Sequence, residues 1–448
     1  MSGFTPHTQA EITSMLEFLS LSSLDELYDS IPQALLLSRS LNLPEGRSEV
    51  EVIEEFEDLA ARNSPVSKEL LCFAGGGAYD HDLYAATKAL GSRSEFVTAY
   101  TPYQPEVAQG VLQALFEYQT MVSRLSGLAI TNASLYDGSS ALVEAINLAC
   151  ARTKRSRVII SEGVNPSWRE VAATFSSGPG HQLELAHLDS SGCTIWPANT
   201  SEVAAFVVAY PNFLGLIEEI SAARQLASAA GALLIVAYDP IATSLLKSPG
   251  ALGADVAVAE GQPLGIPLSF GGPYLGLFST TLELVRYLPG RLVGETLDTR
   301  GNRAYVTTLR AREQDIRREK ASSNVCTNQT LMAIWAAIQL SWLGTSGYRE
   351  IGLKCLSGRA YLTDSLKRRG VGEVRLGRGS FREFPLTIEK SPSQVVEDMA
   401  SRGFLAGVAL EGRLAISNFD SSLLIAVTEK RTKSQIDSFV DALVEVLK

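Results

Sequence analysis

Between Arg157 and Ser279 the chain repeats one pattern. Short apolar runs, "RVIIS", "LELAHL", "AAFVVAYP", "ALLIVAYD", "ADVAVAEG" and "YLGLFS", recur with helical segments between most of them. Runs so short and so uniformly apolar read as strands buried on both faces, and strands that alternate with helices require the crossovers of a parallel sheet. The pattern predicts a large α/β domain whose mainly parallel sheet is covered by helices on both faces. It also predicts where chemistry belongs, because open α/β sheets bind ligands at the carboxyl ends of their strands.

The flanks read differently. The first sixty residues form a helical arm: Thr8 and Glu11 make a capping-box pattern ahead of Ile12, Met15, Leu16 and Leu19, and Ser23 and Glu26 repeat it around Leu24, Leu27, Tyr28 and Ile31. Each helix carries one apolar stripe that it cannot bury alone, so the arm must pack on the main domain or on another subunit. After a glycine- and tyrosine-rich loop (74–80) and a tyrosine- and proline-rich one (99–106), Pro105 opens a helix to about Leu125. From about Gly347 the order becomes a helix near Tyr361, a strand "FPLTIE", a helix from Ser393, strands "LAGVALE" and "LLIAVTE", and a closing helix to Leu447, the pattern of a small α+β domain. The expected organisation is therefore an arm over 1–66, a large α/β domain over 67–345 and a small α+β domain over 346–448.

Charge and cysteine usage narrow the function. The 448 residues carry a net charge of −10, which repels nucleic acid, and the basic clusters "KRSR" (154–157) and "RREK" (317–320) read as solvated faces. Five scattered cysteines without a CxxC read as reduced thiols, and four scattered histidines define no metal site. With no basic-then-apolar leader pattern and no apolar run near the ~20 residues of a membrane helix, the expectation is a soluble cytoplasmic protein.

Three features lie in chain order on the sheet. In "NASLYDGSSALVEA", Gly138, Ser139 and Ser140 lead into a helix, and free N–H groups at the positive end of a helix suit a phosphate; the same residues would serve as an ordinary N-cap. Asp239 ends the strand "GALLIVAYD", where a carboxylate would hold a pyridinium nitrogen protonated or would cap the segment "PIATSLLK". In pyridoxal-phosphate enzymes of the aminotransferase-like fold a lysine follows some two dozen residues later, but here Gln262 occupies that place, and an amide cannot form the Schiff base. Lys247, on the following segment, and Lys320, in a charged one, are the other amines within reach of the argument.

The motifs "GGGAYDH", "SRSEFVTAYTPYQPE", "NASLYDGS", "EGQPLGIPLSFGGPYLG", "PGRLVGET" and "REKASSNVCTNQ" make the chain closely similar, nearly end to end, to the P-protein family of the glycine cleavage system, in the branch of its first subunits. The family pattern has proline near Tyr84 and commonly histidine at the place of Asp315, and this chain departs at both. The resemblance implies the fold type I architecture of pyridoxal-phosphate enzymes, with a second subunit that alone carries the lysine and the cofactor. It implies αβ pairs assembled as a heterotetramer, decarboxylation of glycine, and transfer of the aminomethyl group to the lipoyl arm of the H-protein. Enzymes of this fold build active sites between two chains, so a chain without a cofactor would complete its partner's pocket.

The residues expected to do so are Tyr79 and His81 in "GAYDH", Tyr100, Thr101, Tyr103 and Gln104 in "YTPYQ", and Tyr136, with Gly138, Ser139, Asp239 and Gln262 as a degenerate cofactor site. Tyrosine supplies a rigid apolar body and a hydroxyl that can orient a carboxylate, although buried tyrosines capping helices look identical in sequence. Arg291, Arg312 and Arg317 could pair with the acidic H-protein or with carboxylates, but read by default as exposed surface arginines. Two rival readings are a purely structural partner of the second subunit and an autonomous pyridoxal-phosphate enzyme using another lysine.

Overall fold

The computed structural model describes residues 6–39, 41–66, 69–97, 101–321, 323–415 and 417–448. The chain separates into two compact units, up to Asn63 and from Ser64 onward. In the first, the helix Gln9–Leu19 has the capping box expected of Thr8 and Glu11. Ser23, by contrast, caps nothing with its side chain; Leu24–Tyr28 is a short 3-10 turn, and Glu26 accepts instead from the backbone N–H of Ser22. A second capping box, Ser48 with Glu51, opens the helix Glu49–Ala60. Neither helix contains a buried residue, and Phe18, Leu35, Leu43 and Phe56 are exposed.

The second unit is organised by a seven-stranded sheet made of β1 (Ile130–Thr131), β2 (Arg157–Ser161), β3 (Gln182–Ala186), β4 (Val203–Tyr210), β5 (Leu233–Tyr238), β6 (Val256–Glu260) and β7 (Gly276–Thr280), in the spatial order β1-β7-β6-β5-β4-β2-β3. The five from β3 to β6 run parallel; β7 is antiparallel to β6 and to β1. Side chains alternate across the pleat: Phe206 and Val208 pack with Leu115, Val236 and Ile334 on one face, while Val207, Ile235 and Val258 pack with Leu142 and Ile146 on the other. All eight residues of β4 are therefore buried, which explains its unbroken apolar sequence. A hairpin, Leu292–Leu297 with Arg303–Thr308, follows the sheet and has no counterpart in the sequence reading.

The long helix expected from Pro105 starts later, at Gln109, after a 3-10 turn over Pro105–Val107. The helical run Thr330–Arg369 is broken at Gly344, whose φ of 58° with ψ of −174° belongs to a conformation that favours glycine. Beyond it, Glu373–Val374, Glu383–Thr387, Ser422–Ala426 and Val408–Ala409 form, in that order, an antiparallel sheet. Its core stacks Phe73 on Phe439 at 4.1 Å and adds Phe384, Leu362 and Ile425. No helix among the described residues is long and apolar enough to cross a membrane.

Candidate functional site

Pairing of Tyr210 with Tyr238 in register brings the ends of β4 and β5 level, and β6 ends beside them at Glu260. The strand tips thus place Asp239 and Glu260 around one cleft of about 80 Å³, whose lining includes Tyr79, Trp168, Asn212, Pro263 and Arg382 but no lysine, while Gln262 lies behind it, bonded to Tyr79. An adjoining opening of about 410 Å³ reaches the helix start and is lined by Asp137, Ser139, Trp168, Glu260 and Tyr274; pockets that enclose a small molecule usually measure ~300–1,000 Å³.

The helix begins at Gly138, and the Gly138 and Ser140 N–H groups at its start are already bonded to side chains. Asp137 is the N-cap: its Oδ1 accepts the Ser140 N–H at 2.7 Å and the Ser139 hydroxyl at 2.8 Å. Glu260 takes the next donor, Oε2 accepting the Gly138 N–H at 3.0 Å, while Oε1 accepts from Gln262 N (2.9 Å) and Leu275 N (3.1 Å). Burial pushes the Glu260 pKa to about 7 against these three donors. The ring of Trp168 closes over the turn so tightly that a Cβ on Gly138 would fall 2.1 Å from it. Two carboxylates of the chain itself thus stand where the sequence invites a phosphate.

Asp239 meets a second substitute. Arg382, 2% exposed, pairs with its carboxylate at 2.6 Å, and Arg382 Cζ lies 3.5 Å from the centroid of the Tyr79 ring. The other Asp239 oxygen caps Ile241 N (2.9 Å) and Ala242 N (3.3 Å), so the residue also plays the capping role. Arg382 further donates to His81 Nε2; a guanidinium has no acceptor, so His81 carries its proton on Nδ1 and donates it to Glu429 at 2.6 Å. The Tyr79 hydroxyl donates to Glu383 at 2.8 Å, and burial raises that carboxyl to about 7 and the phenol well above its ordinary range. Gln262 Oε1 accepts from Tyr79 N (2.9 Å), and its Nε2 donates to Tyr79 O (3.0 Å) and Ile266 O (2.8 Å). The amide is committed to holding the loop 75–81 over the strand tips.

Of the residues singled out in sequence, Tyr79 and Asp239 line this cleft, His81 and Gln262 stand behind it through Arg382 and Tyr79, Ser139 lines the adjoining opening and Gly138 bonds Glu260. Thr101, Tyr103 and Gln104 lie elsewhere, beside Arg291, with Tyr103 and Gln104 exposed; Tyr136 is half-buried just before the Asp137 cap. Tyr100 lies outside the described residues. The reading of Arg291 as a surface arginine is corrected, since it is 8% exposed, and Arg312 is half-buried with its guanidinium donating to the Leu288 carbonyl. Arg155 and Arg157 also fold back, onto the Val203 carbonyl and Glu184. The scattered histidines acquire one cluster: His81, Cys355 and Glu429 come within metal-ligating distance of one another. Both His81 nitrogens are engaged and Arg382 adds a positive charge, which opposes a cation there. Sequence reasoning missed Arg382, Glu383 and Glu429, whose signal was only a charged pair before "FPLTIE" and an acid after "LLIAVT".

A doubly covered, mainly parallel sheet, a helix start and a strand-end aspartate around one cleft, and an antiparallel C-terminal sheet define the fold type I class of pyridoxal-phosphate enzymes. The chain belongs within that class to the family of the glycine cleavage system P-protein, whose model matches residues 2–443. It is 44% identical over 97% of its length, and 97% of the other's, to the probable glycine dehydrogenase (decarboxylating) subunit 1 of Desulforamulus reducens, and 42% identical over 99% of both chains to the same-named protein of Chloroherpeton thalassium. A solved glycine decarboxylase (P-protein) of the glycine cleavage system, in inhibitor-bound form, matches with a TM-score of 0.90 at 43% identity over 99% of both chains. A sphingosine-1-phosphate lyase from Burkholderia pseudomallei, at 17% identity and a TM-score of 0.64 over 93% of this chain and 94% of that one, shares the fold.

Pyridoxal phosphate serves this family in general, but the side chains of this cleft do not fit it. Asp137 and Glu260 already accept from donors at the helix start, Arg382 neutralises Asp239, and the Gln262 amide, bonded to Tyr79 and Ile266, offers no primary amine.

Proposed function

We propose that this chain is the first subunit of a two-chain glycine decarboxylase, that it forms no Schiff base, and that the second subunit holds pyridoxal phosphate. The complex decarboxylates glycine and passes the aminomethyl group to the lipoyl arm of the H-protein, in the cytoplasm, from αβ pairs assembled as a heterotetramer. One observation supports the reading: Gln262, Arg382 and Glu260, at the strand tips where the cofactor is expected, are each held by partners within the chain, and none is an amine that could form an imine. A chain that keeps the family's fold without an amine in its own cleft acts by completing another's. The loop 101–104, with its exposed Tyr103 and Gln104, supplies that contribution.

The test is glycine-dependent exchange of carbon dioxide in the reconstituted complex, with mutant first subunit saturating wild-type second subunit and the size of the complex followed in parallel. Tyr103→Phe and Gln104→Ala each lower the rate by roughly tenfold or more, the worth of one hydrogen bond to a charged group, with assembly unchanged. Full activity of both in an intact complex leaves the chain a structural partner. A visible imine band in the purified first subunit given pyridoxal phosphate overturns the division of labour itself.

A further inference from the structure

Three arginines of the described chain are buried: Arg382, Arg431 and Arg291. Arg382 has Asp239 at 2.6 Å and Arg431 has Asp80 at 2.9 Å. Arg291 has no carboxylate within ion-pairing distance among the described residues. Its Nη1 reaches Thr327 Oγ1 (3.2 Å), Thr101 Oγ1 (3.4 Å) and Asn328 Oδ1 (3.5 Å), and its Nη2 reaches the Cys326 carbonyl (3.1 Å). All four are neutral acceptors at long range, whereas a satisfied charged donor sits at about 2.7–2.9 Å from an anionic oxygen. A desolvated charge with no counter-charge is costly to fold, and such a group retains unused capacity for an anion.

The surroundings hold the guanidinium in place. The Tyr103 ring lies 5.3 Å from Arg291 Cζ with its outer part exposed, and Asn328 is fixed by its own bond to the Ala133 carbonyl at 2.7 Å. In front of Arg291 is an opening of about 50 Å³ bounded by Thr101, Tyr103, Arg310, Glu313, Asp315 and Cys326. The space admits a small end group and is far below what encloses a whole ligand. Of the nearby acids, Asp315 is taken by Arg310, and Glu313, which lines the same opening, attracts Arg291, Arg310 and Arg312 together from beyond ion-pairing distance of Arg291, so Arg291 shares that charge and has no carboxylate of its own among the described residues.

We propose that Arg291, with the Thr101 and Thr327 hydroxyls and the Tyr103 ring, forms a carboxylate-binding site. A planar guanidinium offers a carboxylate two parallel bonds, the hydroxyls can donate to the remaining lone pairs, and the ring shields one face from water. The carboxylate comes either from a small free acid or from an acidic side chain of another protein.

Cys326 makes the site testable, because it is exposed and lines the same opening, while Cys72, Cys150 and Cys355 are buried. Iodoacetate carries the carboxylate; iodoacetamide is its neutral counterpart. The ratio of their alkylation rates at Cys326, read by peptide mass spectrometry, is expected to be roughly tenfold higher in the folded full chain than in urea, with acetate but not chloride of equal ionic strength removing the excess. Arg291→Met loses that preference and Arg291→Lys retains part of it. This arm requires no second subunit and stands apart from the two-chain reading. A second arm, which rests on that reading, measures assembly: no acetate effect, but a tenfold or greater weakening of second-subunit binding by Arg291→Met and less by Arg291→Lys, assigns the carboxylate to a protein side chain. An unchanged alkylation ratio together with unchanged assembly overturns the proposal.

Discussion

Arg382 and Asp239 stand 2.6 Å apart, joining the tip of β5 to the residue that precedes the strand Glu383–Thr387. The pair ties the large sheet to the C-terminal sheet across the cleft, and the Tyr79 ring stacked on the guanidinium fixes its plane.

Removing the cation strands a largely buried carboxylate. Arg382→Met is expected to destabilise the chain by about 3–5 kcal/mol, as breaking one side of a buried pair does, and Asp239→Asn added to it recovers a large part of the loss. Urea denaturation of the three chains measures both; a single-variant loss under about 1 kcal/mol refutes the pairing as drawn.

Restoring the lysine does not restore the cofactor. Gln262→Lys incubated with pyridoxal phosphate is expected to show no imine absorption and no label after borohydride reduction, because Glu260 and Asp137 still fill the helix start and Arg382 still covers Asp239. A labelled Gln262→Lys chain contradicts this.

Glu260 and Glu383 both sit at about 7 in the folded chain against an ordinary 4.5, because burial disfavours their charge. Between about pH 4.5 and 7 the folded chain therefore binds more protons than the unfolded one, and the contribution of each group falls as pH rises through that window, by up to about 3 kcal/mol. Denaturation at pH 5 and pH 8 is expected to show a smaller stability difference in Glu260→Gln than in the wild type. Equal differences mean that Glu260 titrates in the ordinary range.

The arm exposes its apolar side chains instead of burying them within its own unit, and short helices gain little stability from propensity alone. Deleting residues 1–60 is expected to weaken association with the second subunit by at least tenfold while the remaining unit keeps its circular dichroism. An unchanged dissociation constant removes the arm from the interface.

The sheet was legible because burial on both faces leaves a direct imprint on sequence: β4 is apolar throughout, and the strand-end position of Asp239 follows from the apolar run of β5. The capping box at Thr8 was legible for the same local reason, whereas Ser23 and Glu26 match the pattern yet adopt another turn. The hairpin Leu292–Leu297 with Arg303–Thr308 was not, since "LVGETL" and "RAYVTT" carry too little apolar alternation to separate a strand from a loop.

By itself the sequence determined the layered α/β architecture, the glycine and serine helix start and the aspartate at the strand tip, all properties of residues near one another in the chain. Only the tertiary structure decided what those groups face. Arg382 reaches Asp239, Glu260 reaches Gly138, and Arg291 is buried with no ion pair among the described residues, because burial and charge pairing depend on distances set when separate segments pack. Spacing along the chain does not encode those distances.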